Sequence, residues 1–231
     1  MATEKRGAAR GRDGRARVLL VDDHPIVREG LARVIDQEAD LVVCGTAVNS
    51  HEALQAVATS KPDIAVIDVS LDGSHGIDLV KDLKVRHPGL AVVMLSMHDE
   101  TLYAERALRA GAKGYVMKRE PPQRLLQAVR KVLKGGLFFS EEVTARMLER
   151  VSRSQSKDVP LPMERLSDRE LEVLELIGNG HTTRQIADEL HVSMKTVQAH
   201  REHLKEKLEL SDATTLARFA VHWVESEGKK G

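Results

Sequence analysis

Five short apolar runs with little polar alternation constrain the fold of this chain more than any other feature: Arg17–Val21, Leu41–Gly45, Ile64–Ile67, Ala91–Leu95 and Gly114–Met117. A strand with one wet face alternates polar and apolar residues, whereas a continuous run is expected when both faces of a sheet are covered. Between the runs lie segments with helical apolar spacing: Ile26–Ile35, Glu52–Ala58, Ile77–Val85, Leu102–Ala110 and Leu125–Leu133. Such a series of strand–helix units predicts an α/β fold, with a doubly wound five-stranded parallel sheet, right-handed crossovers and helices on both sides. In sheets of this kind chemistry gathers at the carboxyl ends of the strands.

Polar residues stand at those ends. The first strand runs into Asp22-Asp23, the third into Asp68 and the fourth into Ser96, and Lys118 follows the fifth. Three crowded carboxylates repel one another and favour a hard divalent cation; oxygen ligands suit Mg²⁺. Mg²⁺ there would neutralise both a carboxylate nucleophile and an incoming phosphoryl group. Asp68 is then the nucleophile and forms an acyl phosphate. Lys118 pairs with a phosphoryl oxygen as a point charge, while Ser96 supplies a hydroxyl donor. His24 begins the first helix beside Pro25, with metal ligation as its alternative role.

Competing α/β chemistries fit less well. A flavin or nucleotide site wants a Gly- or Ser-rich turn offering N–H groups, but the first turn is Asp22-Asp23-His24-Pro25, which repels phosphate without a metal. A haloacid-dehalogenase-type phosphatase needs a second carboxylate two residues after its nucleophile, where Ser70 stands. The chain is not expected to be an enzyme acting on a separate small substrate.

Beyond the last strand, Ser140 can cap a short helix over Glu141–Val151. The serine- and proline-containing stretch 152–162 then reads as a linker. From there the pattern is purely helical. Ser167-Asp168-Arg169-Glu170 is a capping box, and Gly178-Asn179-Gly180 ends the helix it opens. Thr182, Ser193 and Ser211 are candidate caps for three more helices. The tight turn His191-Val192-Ser193 separates the second and third of these four helices, the arrangement of a helix-turn-helix, with Lys195–Leu208 as recognition helix. Val197, Leu204 and Leu208 form its apolar stripe. The last helix, Ala213–Val224, completes the small core through Leu216, Phe219, Ala220 and Trp223, and presents a dimer surface.

Charge locates any DNA contact. The chain carries 35 Lys and Arg against 35 Asp and Glu, so nucleic-acid binding must rest on a local surface. Residues 193–207 hold four Lys or Arg against two Glu inside an otherwise acidic C-terminal part. Aromatic residues make up only 3%, which argues against a base-stacking platform for single strands. Residues 1–16 form a basic tail (Lys5, Arg6, Arg10, Arg12, Arg15) that reads as a disordered solvated arm, with DNA contact as the alternative. The single cysteine, Cys44, reads as a small core residue and offers no internal disulfide. No apolar run is long enough to span a bilayer and the N-terminus lacks a hydrophobic signal core, so no membrane association and a cytoplasmic location are expected.

Two stretches resemble known families. Residues 17–134 are similar to the receiver domain of bacterial two-component response regulators, through Asp22-Asp23-His24-Pro25, Val66-Ile67-Asp68-Val69-Ser70, Leu95-Ser96-Met97 and the run Gly111 to Lys118. The segment Leu166 to Leu208 resembles the LuxR-type DNA-binding domain, and together they resemble a NarL/FixJ-type response regulator. The resemblance implies a flavodoxin-like receiver over 17–136, a helix and linker over 137–163, and an all-α helix-turn-helix domain over 164–231. It implies that Asp23, Asp68 and the Ser70 carbonyl bind Mg²⁺, with Asp22 acting through water, and that a histidine kinase donates the phosphoryl group. Tyr115 would be the aromatic switch that packs inward as Ser96 moves; a half-buried strand tyrosine is the alternative. One departure is the loop Ser70-Leu71-Asp72-Gly73, where the family often has Met-Pro.

By the same resemblance Gln198, Ala199 and Glu202 face base edges. Lys195, Thr196, Arg201 and Lys205 suit phosphates, as do Thr183 and Arg184 at the start of the preceding helix. The expected function is a phosphorylation-controlled transcription factor that dimerises and binds promoter DNA. The alternative is a phosphorylation-independent regulator acting through protein–protein contacts.

Overall fold

A computed structural model describes residues 14–72, 74–97, 100–153 and 162–228. Most of the expected basic tail, most of the expected linker and Gly73 lie outside these residues. The chain divides after Arg153 into two compact units.

The first unit runs β1 (Ala16–Val21), α1 (Pro25–Asp36), β2 (Leu41–Ala47), α2 (Ser50–Ser60) and β3 (Ile64–Asp68). A two-residue hairpin, β4 (Ser70–Leu71) and β5 (Ser74–His75), leads into α3 (Gly76–Arg86). Then follow β6 (Ala91–Ser96), α4 (Glu100–Ala110), β7 (Gly114–Met117), α5 (Pro122–Leu133) and α6 (Glu141–Arg153). The main sheet is parallel in the order β2-β1-β3-β6-β7, the flavodoxin-like doubly wound order. Its strand order reverses between β1 and β3, so Asp22 and Asp23 after β1 meet Asp68 at the end of β3.

The uninterrupted apolar runs are explained by burial on both sides. Val18, Leu20, Ile64, Val66, Val93, Leu95 and Val116 share one core cluster with Leu125, Ala128 and Val129 of α5. The alternate residues Leu19, Val21, Ala65, Ile67, Val92 and Met94 are buried too, on the other face. Each of the larger side chains (Val, Leu, Ile and Met) contributes roughly 1.5–3 kcal/mol through burial. Cys44 departs from expectation: it is half-buried, its Sγ 3.6 Å from the Ser60 hydroxyl.

Two features extend this unit beyond the expected receiver. Phe138 adds to the open edge of β7: its N–H donates to the Lys113 carbonyl at 2.9 Å and its carbonyl accepts from the Tyr115 N–H at 2.9 Å. Helix α6 begins at a Ser140 cap, runs through Ser152 and Arg153, and packs on α4. It therefore takes in the first two residues expected in the linker.

The second unit is helical: α7 (Asp168–Gly178), α8 (Thr183–Glu189), α9 (Met194–Lys207) and α10 (Ala213–Gly228), preceded by a 3₁₀ turn, Pro162–Arg165. The capping box is present in full, with Ser167 accepting from the Glu170 N–H at 3.3 Å and Glu170 accepting from the Ser167 N–H at 2.7 Å. Thr182 and Ser193 cap α8 and α9 as expected. Ser211 does not cap α10; Asp212 does, accepting from the Thr215 N–H at 2.8 Å, because a charged acceptor outcompetes a hydroxyl that itself donates to Asp212. Val197 and Leu204 are fully buried against α7, and Leu208 nearly so. No described helix is long and apolar enough to cross a membrane.

Candidate functional site

The acidic site forms where the topology places it. Asp22 and Asp68 are only 2% and 3% exposed, and Asp23 stands beside them on the rim. One carboxylate oxygen from each of Asp22, Asp23 and Asp68 lies within 4.8 Å of the others, together with a nitrogen of His24. Lys118, arriving from the end of β7, is their only close lysine among the described residues. Its Nζ is 2.6 Å from Asp68 Oδ2 and 2.8 Å from Asp22 Oδ2. Three carboxylates thus face one lysine, a deficit of positive charge that suits a divalent cation with oxygen ligands.

Titration reflects that deficit. Burial pushes the Asp68 carboxyl up to about 7, and the Asp22 and Asp23 charges add to the effect against the opposing pull of Lys118. Burial disfavours the charged form of Lys118, but the Asp68 and Asp22 carboxylates outweigh it and raise its pKa. A carboxyl group in this setting gives up its proton less readily than a free one, and a further cation nearby would favour its charged form.

The surrounding backbone is tightly specified. The Asp22 carboxylate accepts from the His24 N–H at 2.9 Å, shaping the turn into α1, and its backbone carbonyl accepts from the Arg28 guanidinium at 2.7 Å. His24 Nδ1 is 2.7 Å from Asp23 Oδ1, a pairing not expected from the sequence. Ser96 is fully buried at the end of β6, and its carbonyl receives the Lys118 N–H at 2.7 Å. Ser70 opens the β4–β5 hairpin two residues past Asp68, paired with His75. Tyr115 is 2% exposed, more buried than the half-buried alternative foresaw.

Gly76 and His75 were not singled out in the sequence. The Gly76 N–H donates to the Val69 carbonyl at 2.6 Å, and a Cβ on Gly76 would fall 1.9 Å from the Asp68 carbonyl oxygen. His75 is buried, caps α3 by accepting from the Ile77 N–H, and stacks on Tyr103 at 6.1 Å.

In the helical unit, Lys195, Thr196, Gln198, Ala199 and Glu202 are exposed along α9, while Arg201 and Lys205 are half-buried. Thr183 is half-buried and Arg184 exposed at the start of α8. Thr196 is tied to the cap, its hydroxyl 2.8 Å from that of Ser193. Glu202 is held from both sides, accepting from Gln198 Nε2 at 2.8 Å and lying 2.7 Å from Lys205 Nζ. The Lys205 and Gln198 bonds lower its carboxyl pKa.

Comparison with known proteins gives these geometries a context. Residues 18–130 match the response regulator receiver domain family, and residues 164–220 match the luxR family of bacterial regulatory proteins. The oxygen regulatory protein NreC of Staphylococcus haemolyticus is 36% identical over 209 residues, covering 89% of this chain and 96% of NreC. A LuxR-family two-component response regulator from Aurantimonas sp. aligns with 60% of this chain and 99% of its own, at 34% identity and a TM-score of 0.55. RcsB from Salmonella enterica serovar Typhimurium, solved bound to promoter rprA with the phosphomimetic BeF3⁻, aligns with 90% of this chain and 98% of its own, at 26% identity and a TM-score of 0.57. This chain belongs to the LuxR-type response regulators, two-component transcription regulators that join a receiver domain to a helix-turn-helix DNA-binding domain.

Proposed function

We propose that Asp68 is the phosphoryl acceptor of this regulator and that its phosphorylation by a histidine kinase controls promoter binding. The observation that carries this reading is the buried Asp68 carboxylate, in contact with Lys118 and grouped with Asp22 and Asp23 at the strand ends. Asp23, Asp68 and the Ser70 carbonyl would hold Mg²⁺, with Asp22 acting through water. The ion would supply positive charge to the transferred phosphoryl oxygens. The Asp68 Oδ–P bond forms as the bond from phosphorus to the kinase's histidine nitrogen breaks. Lys118 then turns from the carboxylate to a phosphoryl oxygen, and Ser96 donates its hydroxyl to another. Tyr115 takes the space vacated by Ser96.

The receiver is assigned to 17–136, the helix and linker to 137–163 and the DNA-binding domain to 164–231. Phosphorylated protein would dimerise in the cytoplasm and bind paired half-sites, without acting as an enzyme on any other substrate. On α9, Gln198, Ala199 and Glu202 would read bases, while Lys195, Thr196, Arg201, Lys205, Thr183 and Arg184 would contact phosphates. Incubation with acetyl phosphate and Mg²⁺ tests the acceptor: intact mass should show one acid-labile phosphoryl group on the wild type and none on Asp68→Asn. Phosphorylation of the variant at the wild-type level would overturn the assignment.

A further inference from the structure

The helical unit carries a second group of ligating side chains that DNA recognition does not use. Glu170 on α7 and His200 and His203 on α9 each offer an atom within 4.8 Å of the other two. The two histidines are three residues apart on one helix, which puts both imidazoles on the same side of α9. That side is distinct from the stripe of Lys195, Gln198 and Glu202.

Glu170 divides its two oxygens between different tasks. Oε2 accepts the Ser167 N–H at 2.7 Å and pairs with Lys207 Nζ at 2.6 Å. Oε1 faces the imidazoles, 3.7 Å from His203 Nδ1, which is too long for a hydrogen bond. His200 Nδ1 is buried with no hydrogen-bond partner, and a buried polar atom without one is costly in a folded protein. The group is therefore one carboxylate oxygen and two imidazoles drawn close together, two of its contacts unmade.

We propose that Glu170, His200 and His203 bind a divalent transition-metal ion of borderline softness, Zn²⁺ being the natural occupant. Two imidazoles and one carboxylate are a standard three-ligand zinc set, with water completing a tetrahedron. Nitrogen ligands select against Mg²⁺, which prefers oxygen, so this site and the acidic site of the receiver sort different cations. The burial of His200 and the nearby Arg169 charge favour its neutral, ligating form. Binding through Oε1 leaves Oε2 on the helix cap. Because the ligands come from α7 and α9, the ion clamps the recognition helix to the helix beneath it, and metal supply becomes a second input to DNA binding.

The test uses full-length, metal-stripped protein in excess Mg²⁺, which occupies the receiver site. Zn²⁺ binding is followed by calorimetry and by unfolding temperature, and Co²⁺ serves as a spectroscopic substitute. The expected result is saturable binding of one Zn²⁺, a raised unfolding temperature and a tetrahedral Co²⁺ absorption band. Exposed His203 can be replaced without disturbing the core, so His203→Ala should fold normally, weaken Zn²⁺ binding tenfold or more and lose the band. His200→Gln should do the same. Absence of saturable Zn²⁺ binding, or binding unchanged by both substitutions, would overturn the proposal.

Discussion

Lys118 Nζ and Asp68 Oδ2 lie 2.6 Å apart, although 50 residues separate them in the chain. The same ammonium reaches Asp22 at 2.8 Å. Before phosphorylation, then, the lysine partly offsets the charge of the carboxylate it would later leave for a phosphoryl oxygen. A residue already bound to the proposed acceptor is well placed to sense what happens to it. Lys118→Ala should consequently spare phosphorylation by a small phosphodonor more than it spares the response, so that phosphorylated Lys118→Ala gains little promoter affinity. A wild-type gain, read by fluorescence anisotropy, would remove Lys118 from the coupling.

The raised pKa of Asp68 has a sign that can be measured. Folded protein binds a proton at Asp68 up to about pH 7, whereas the unfolded chain releases it near the ordinary carboxylate value of 3.8. Between those limits the folded state holds more protons, so this group's contribution to stability falls as pH rises. The loss is on the order of 4 kcal/mol, largely complete above pH 7. Asp68→Asn should therefore be about as stable as wild type near pH 4 and clearly more stable near pH 8, in chelator. Thermal unfolding at several pH values checks this; parallel curves for the two proteins would show that Asp68 is not strained by burial.

Gly76 should tolerate no side chain. A Cβ there meets the Asp68 carbonyl oxygen at 1.9 Å, a backbone atom that cannot yield without moving Asp68. Gly76→Ala is expected to cost about 3 kcal/mol or more and to impair phosphorylation in whatever fraction folds. Gly30, inside α1 with nothing near its Cβ position, is the control: Gly30→Ala should stabilise by roughly 0.5–1 kcal/mol. Chemical denaturation of the two variants distinguishes a local clash from a general intolerance of the unit.

Much of this arrangement was legible in the chain. Asp22, Asp23, Asp68, Ser96 and Lys118 could be placed on one edge because a parallel sheet sends every strand end to the same side. The caps at Ser167, Thr182 and Ser193 were legible because their chemistry is local. Gly76 and His75 were not, since their roles depend on the β4–β5 hairpin, whose two-residue strands carry no periodicity. Nor was the pairing of Phe138 with β7: the apolar run Leu137-Phe138-Phe139 after Gly135-Gly136 is too short to announce a strand. Ser211 and Asp212 show the limit of cap prediction: Ser211 is the expected cap, but its neighbour Asp212, the stronger acceptor, holds the helix end.

Glu202 separates two roles for the recognition helix. On the free surface it is held by Gln198 and Lys205. To read a base it must leave at least one of them and accept from a cytosine amino group, its only gain against phosphate repulsion. Glu202→Ala should then lose about tenfold or more of the discrimination at one G·C position and leave other positions unchanged. A randomised half-site library measures this. A similar affinity change for every sequence, strongest at low salt, would make Glu202 a surface charge alone.

The central claim, that a phosphoryl group on Asp68 controls DNA binding, is tested most directly by one affinity measurement. Full-length protein is titrated against a promoter fragment obtained by genomic selection, with and without BeF3⁻ and Mg²⁺, for the wild type and Asp68→Asn. Coupling between such sites ordinarily changes affinity about 5- to 150-fold. The wild type should gain affinity in that range and the variant should gain none. Equal affinity with and without BeF3⁻, or the same gain in Asp68→Asn, would contradict the account.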